Sequence, residues 1–217
     1  MNLKGLKINF LGDSITEGCN ASRPEYTYWK RFEQDGATVR GYGIGGTRIA
    51  RQHTPSNETW DKYFRSRVDS MDPDADLIVV FGGTNDYGHG DAPLGCMEDR
   101  TDDTFYGALH LLFLDILKKY PKAEIVVMTP IHYEFEHELF NGLGVPVRGC
   151  LEDYVNIIME VAAYYAIPVL DLYRLSGIQP QVDMIKQRLA PDGLHPNDAG
   201  HERIYRLLKN FILYNIG

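Results

Sequence analysis

Long apolar runs are absent from this sequence. No stretch approaches the roughly 18 consecutive apolar residues that a membrane-spanning helix requires, so no membrane span is predicted. The first ten residues also lack the long apolar stretch and small-residue cleavage site of a signal peptide. We therefore expect a cytoplasmic protein, with a secreted form whose signal was removed as the alternative.

Cysteine and net positive charge are scarce as well. The three cysteines, Cys19, Cys96 and Cys150, are widely spaced and form no C-x-x-C pair, so neither a disulfide framework nor a cysteine zinc site is predicted. The 22 Lys and Arg residues are outnumbered by 30 Asp and Glu, which gives a formal net charge of -8. Such a chain, without a basic cluster, does not favour nucleic acid or an anionic membrane as a partner.

Apolar patterning in the 217 residues predicts one α/β domain spanning 1–217. Residues 77–81 are apolar throughout, which is typical of a parallel strand covered on both faces. Strands alternating with helices favour a three-layer α/β/α sandwich with right-handed crossovers. The predicted strands are 7–11, 38–42, 77–81, 124–129 and 168–171, and the predicted helices are 26–34, 60–71, 103–120, 151–165 and 198–213.

Two long irregular segments, 82–101 and 130–149, follow the ends of predicted strands. Ligands bind at the carboxyl edge of open parallel sheets, and long loops in compact domains are usually functional. Reactive side chains of a functional site are therefore expected at this edge.

The first candidate is Gly12-Asp13-Ser14, where the first strand ends. A glycine there permits a sharp turn that exposes the serine, but a serine hydroxyl is a weak nucleophile unless a base removes its proton. Alternatively, Asp13 and Ser14 only cap the following turn.

The second candidate is the glycine run 41–47 after the second strand. Glycines let the backbone approach a ligand and direct N–H groups at it. Gly41, Gly43 and Gly46 also match a G-x-G-x-x-G dinucleotide loop, but the run follows the second strand and no helix is predicted directly after it. Nucleotide binding is therefore disfavoured.

The remaining candidates are Asn85, just beyond the third strand, and the pair Asp192 and His195 before the last helix. An asparagine amide at the sheet edge can donate to a ligand, although an Asx turn would also explain it. A carboxylate three positions from an imidazole can orient it, as in a Ser-His-Asp triad. Taken alone, these residues are better explained by an Asx turn, a turn former and a surface histidine.

Together, the four segments resemble the SGNH hydrolases, also called the GDSL esterase/lipase family. The matching positions are Gly12-Asp13-Ser14, Gly46, Asn85 and Asp192-x-x-His195, with Ile15 where leucine is often found. The resemblance spans residues 12–195. Because the glycine run permits a shift of register, Gly43 and Gly45 remain alternatives to Gly46.

The resemblance implies a flavodoxin-like sheet of five parallel strands in the order 2-1-3-4-5. It implies that Ser14 is the nucleophile, His195 the general base and Asp192 the residue that orients the imidazole. The backbone N–H groups of Ser14 and Gly46, with the Asn85 amide, would form the oxyanion hole. No metal or organic cofactor is expected.

The expected reaction is hydrolysis of a short-chain carboxylic ester, often acetyl on a sugar in similar proteins. A thioesterase or a lysophospholipase would use the same machinery, and a non-catalytic binding module with an idle serine belongs to a different class. The expected partner is a small-molecule or carbohydrate ester, and a homo-oligomer is left open.

The two irregular segments supply the candidate pocket residues Tyr87, His89, His132 and Tyr133. Their mixture of aromatic and polar groups predicts a small pocket with a polar rim. In an extended conformation His132, Glu134 and Glu136 would lie on one side, a weak alternative indication of a metal site.

Overall fold

A computed structural model describes residues 2–55, 57–142 and 144–216 and contains one parallel sheet of five strands. The strand order, β2-β1-β3-β4-β5, confirms the predicted topology. The predicted strands agree with the observed ones to within one residue at each end. The strands are β1 (Lys7–Gly12), β2 (Thr38–Gly43), β3 (Leu77–Phe81), β4 (Glu124–Met128) and β5 (Val169–Leu170).

Helices cover both faces of the sheet. Along β3, Ile78 and Val80 pack into a core formed with the helices on one face, whereas Leu77, Val79 and Phe81 face the core on the other. This arrangement is the predicted three-layer sandwich. The helices are α1 (Ser14–Glu17), α2 (Thr84–His89), α3 (Phe105–Lys119), α4 (Leu151–Tyr164), α5 (Leu172–Leu175), α6 (Asp183–Leu189) and α7 (Asp198–Asn215).

Two of the predicted helices are wrong. Residues 26–34 contain the last residue of one 3₁₀ turn, Pro24–Tyr26, and most of another, Lys30–Asp35. The predicted helix 60–71 is reduced to the 3₁₀ segment Phe64–Ser70. Aromatic residues dominate the first segment, and they lose rotamer freedom in an α-helix. In the second, the Phe64 N–H donates to the carbonyl of Arg48 at 3.0 Å and therefore leaves the local helical pattern.

The sheet register brings the candidate site residues to one edge. Gly12 at the end of β1 lies opposite Gly43 of β2 on one side and Phe81 of β3 on the other. The chain segments that follow these strands carry Ser14, the glycine run and Asn85. Among the described residues, no helix is long and apolar enough to cross a membrane.

Candidate active site

Ser14 is the first residue of α1, immediately beyond β1. The carboxylate of Asp13 accepts a hydrogen bond from the Ile15 N–H at 3.1 Å and caps the helix. A Cβ at Gly12 would overlap Thr16, so the turn into the helix requires glycine. As a first-turn residue, Ser14 has an N–H without an intrahelical acceptor, and this group is available to a ligand at the sheet edge.

The Ser14 hydroxyl meets the imidazole of His195, which precedes α7. Ser14 Oγ lies 3.0 Å from His195 Nε2, and His195 Nδ1 lies 2.8 Å from Asp192 Oδ2. With its Nδ1–H donated to the carboxylate, the imidazole presents Nε2 as an acceptor for the serine proton. The three side chains thus form a continuous hydrogen-bonded chain.

Asp192 is itself held in place by the tight turn that carries it. Its Oδ1 accepts from the backbone N–H of Leu194 at 2.9 Å and of His195 at 2.7 Å. Partial burial raises the pKa of Asp192, but the hydrogen bonds from His195 and Leu194 outweigh this effect and hold the pKa below its ordinary value. The carboxylate is therefore ionised at neutral pH.

The glycine run lies alongside Ser14, and its residues differ in what they contact. The Gly45 N–H donates to Glu17 Oε2 at 2.8 Å, whereas in the described part of the chain the Gly46 N–H has no acceptor. Gly46 has a φ of +74°, and a Cβ there would overlap the indole of Trp60. The geometry therefore favours Gly46 over Gly45 as the glycine that presents a free N–H.

Asn85 lies in the first turn of α2 and is linked directly to the glycine run. Its Nδ2 donates to the carbonyl of Thr47 at 2.9 Å. An amide nitrogen carries two hydrogens, so a second donor remains for a ligand. Because Asn85 is largely buried, this bond fixes its side chain beside the segment that carries Gly46.

Two buried charged residues that the sequence analysis did not select support this edge. The Asp86 carboxylate accepts from the N–H groups of Ile49 and Ala50, both at 2.9 Å. The Arg67 guanidinium donates to the carbonyls of Gly12 and Tyr42 at 3.1 and 2.6 Å. Asp86 thus holds the segment that follows the glycine run, and Arg67 holds the ends of β1 and β2 together.

Burial shifts the pKa values of these supporting groups. It raises the pKa of Asp86 to about 7 and that of Asp13 to about 6, because a dry environment disfavours the carboxylate. It lowers the pKa of Arg67 to about 10, although the charge of Asp13 opposes the shift. Asp86 directly follows the predicted site residue Asn85 in the sequence, whereas nothing in the sequence around Arg67 indicated its role.

A cavity of about 160 Å³ opens beside Asn85 and contains two of the four candidate pocket residues, His89 and Tyr133. Tyr87 is largely buried and donates its hydroxyl to the Phe135 carbonyl at 2.7 Å, and it lines an adjoining cavity of about 210 Å³ together with Tyr133. His132 packs against Tyr173 with the two rings tilted, their centroids 3.9 Å apart, and is absent from the lining. The lining residues are Trp60, Thr84, Asn85, Gly88, His89, Tyr133, Gly142 and Leu194.

Of the three side chains considered for a metal site, His132 and Glu136 contact each other and Glu134 points elsewhere. His132 Nδ1 lies 2.8 Å from Glu136, whereas Glu134 pairs with Lys186 at 2.6 Å. Over the described residues, no group of three or more His, Cys, Asp or Glu side chains is placed to hold a metal ion.

The model of the GDSL-like lipase/acylhydrolase family matches residues 10–203. The chain belongs to this family. The match contains both segments of the Ser14–His195–Asp192 chain, so the geometry described above lies within the region that defines the family. GDSL membership makes an esterase- or lipase-type hydrolase the general class of this protein.

Solved structures share the GDSL fold over nearly the whole chain. A protein from Lactobacillus plantarum is 31% identical, with 98% of each chain covered and a TM-score of 0.82. The acetyl xylan esterase AlAXEase is 22% identical over 95% of this chain and all of its own, with a TM-score of 0.66. A two-domain esterase active on acetylated mannans is 19% identical and covers 96% of this chain and 48% of its own, with a TM-score of 0.62. No curated protein matches the chain.

Proposed function

We propose that this protein is a serine esterase that hydrolyses short-chain carboxylic esters. The observation that carries the proposal is the chain of contacts from Ser14 Oγ to His195 Nε2 at 3.0 Å and from His195 Nδ1 to Asp192 at 2.8 Å. A serine, a base and an orienting acid in this geometry are the requirements for nucleophilic acyl transfer.

In the proposed reaction, Ser14 Oγ attacks the ester carbonyl while His195 Nε2 takes its proton. The oxyanion that forms accepts hydrogen bonds from the N–H groups of Ser14 and Gly46 and from the Asn85 amide. The imidazolium, stabilised by Asp192, then protonates the departing alcohol. Water attacks the acyl-serine in the same way, and His195 again serves first as base and then as acid, which releases the carboxylic acid and regenerates Ser14.

We further propose a short acyl group, acetyl above all, on a carbohydrate alcohol. The cavity beside Asn85 has a volume of about 160 Å³, well below the roughly 300–1,000 Å³ of drug-sized ligand sites. Two structural neighbours, the acetyl xylan esterase and the esterase active on acetylated mannans, act on acetylated polysaccharides. Both points favour a small acyl group over a long aliphatic chain.

Hydrolysis of nitrophenyl esters is expected to be fastest for acetate and to fall steadily towards decanoate. Each added methylene needs apolar surface to pack against. A 160 Å³ cavity with His89 and Tyr133 in its wall has little space or apolar surface for a longer acyl chain. The measurement is kcat/KM for the acetate, butyrate, hexanoate and decanoate esters, with Ser14→Ala as the blank. A steady rise from acetate to decanoate would contradict the assignment of a short acyl group.

A further inference from the structure

A second, larger cavity lies next to the one beside Asn85 and has a volume of about 730 Å³. A site of this size accommodates a ligand far larger than an acetyl group. It is named here the Trp60 cavity. Its lining residues are Arg48, His53, Thr54, Pro55, Trp60, His89, Asp91, Pro93, Val145 and Arg148.

The two cavities share a wall made of Trp60 and His89. The two rings stack, with centroids 4.5 Å apart and planes 30° apart. The indole edge also lies against Gly46, where a Cβ would overlap it. Only the Trp60 side chain therefore separates a ligand in the larger cavity from Gly46 of the proposed oxyanion hole. A single substrate can occupy both cavities.

The lining of the Trp60 cavity combines flat apolar faces with groups that donate several hydrogen bonds. Trp60, Pro55 and Pro93 supply the apolar faces. The Arg148 guanidinium is exposed and makes only a 3.5 Å contact with the Asp91 carbonyl; within the described ranges it has no carboxylate partner. The C–H faces of a sugar ring can pack on these apolar faces, and its hydroxyl groups can accept hydrogen bonds from the guanidinium.

The charges that line this cavity balance one another. Arg48 is paired with Asp61 at 2.7 Å. Burial and the neighbouring Arg48 lower the pKa of His89 to about 4, so this imidazole is neutral near pH 7. The Arg148 cation and the Asp91 carboxylate then offset each other, which favours a neutral, hydroxyl-rich ligand over an anionic one.

We propose that the Trp60 cavity binds the carbohydrate alcohol of the ester as a neutral oligosaccharide, while the short acyl group occupies the smaller cavity. This inference rests on the proposed esterase function. It makes Arg148 a specificity residue that contacts sugar hydroxyls away from the reacting atoms. The enzyme would then prefer acetylated oligosaccharides to acetylated monosaccharides.

The test compares kcat/KM for nitrophenyl acetate, acetylated monosaccharides, and acetylated xylo- and manno-oligosaccharides. The wild-type protein is expected to favour one of the oligosaccharide series. Arg148→Gln should lower kcat/KM on that series by about tenfold, mainly through KM, which is the scale of a lost hydrogen bond to a charged group. Nitrophenyl acetate, whose leaving group carries no sugar hydroxyl for Arg148 to bind, should be hydrolysed within about twofold of the wild-type rate.

The matched control is Arg100→Gln, an exposed arginine that does not line the Trp60 cavity and should leave every rate unchanged. Two outcomes would overturn the inference even while nitrophenyl acetate is hydrolysed. One is an equal kcat/KM on acetylated monosaccharides and oligosaccharides, and the other is an Arg148→Gln variant whose kcat/KM matches wild type on all of these substrates. Absence of any ester hydrolysis by the wild-type protein would instead reject the proposed function.

Calorimetric titration of deacetylated oligosaccharide into Ser14→Ala measures binding independently of turnover. We expect binding that is weakened when Arg148→Gln is added to Ser14→Ala. Absence of binding to Ser14→Ala would contradict the proposed site.

Discussion

Replacing Asn85 with alanine is expected to lower kcat by roughly 10²-fold or more while KM changes only a few-fold, the pattern of a lost oxyanion donor. The amide is anchored to the Thr47 carbonyl beside Gly46, so its second N–H can meet the carbonyl oxygen of a bound ester. Such a bond is strongest when that oxygen carries the negative charge of the tetrahedral intermediate. Steady-state kinetics on nitrophenyl acetate check the prediction.

A thermal melt is needed beside the kinetics, because Asn85→Ala also removes the bond to Thr47. The matched control is Thr104→Ala, which removes the N-cap of α3, a hydrogen bond from the Gly107 N–H at 3.2 Å. Losing such a cap costs about 1 kcal/mol, so this variant should melt earlier and keep its turnover. If Asn85→Ala behaved in the same way, with a lower Tm and an unchanged kcat, Asn85 would be structural.

Removing the imidazole is expected to have a larger effect: His195→Ala should lower kcat by about 10⁴-fold or more. Asp192→Asn should also lose most of its activity, with His195→Ala at least as damaging. The asparagine can still hold the ring through one oxygen, but it cannot stabilise the imidazolium, and it presents an N–H₂ group that favours the wrong tautomer. The measurement is kcat on nitrophenyl acetate for each purified, folded variant.

Asp198 provides the matched control for Asp192. It is the next carboxylate along the chain, but both of its oxygens accept hydrogen bonds from Ser22, at 2.8 Å from the N–H and 2.7 Å from the hydroxyl. Asp198→Asn should therefore leave kcat within a few-fold of wild type. An Asp192→Asn variant with full activity would show that the Asp192–His195 contact has no role in turnover.

The sheet could be predicted from the sequence because its strands carry strong local signals. The run 77–81 is wholly apolar and forms the buried strand β3. The predicted helix 60–71 is wrong because a tertiary contact, the hydrogen bond from the Phe64 N–H to the Arg48 carbonyl, overrides the local pattern. The helix α1 has only four residues, too few for any periodic pattern to predict.

The sequence predicted those candidate site residues that lie in short motifs arranged in a fixed order along the chain. Ser14, Asn85, Asp192 and His195 each follow a turn signal at a strand or helix end, and the parallel topology brings them to one edge. Arg67 has no such signal, because its role depends on carbonyls at the ends of two other strands.

The pocket walls were predicted less well than the motif residues. Trp60 was assigned to a helix, and only the fold places it against Gly46 and His89. Tyr87 packs against the core and also lines the adjoining cavity of about 210 Å³, so its role as a pocket residue stays a prediction.

The most direct test of Ser14 as the nucleophile is labelling with a fluorophosphonate, read by intact mass and by mapping of the modified peptide. We expect one label per chain, on Ser14, with none on Ser14→Ala and much slower labelling of His195→Ala, because the serine must give up its proton to react. A folded wild-type protein that takes up no label, or that takes it up at a residue other than Ser14, would contradict the assignment of Ser14 as the nucleophile.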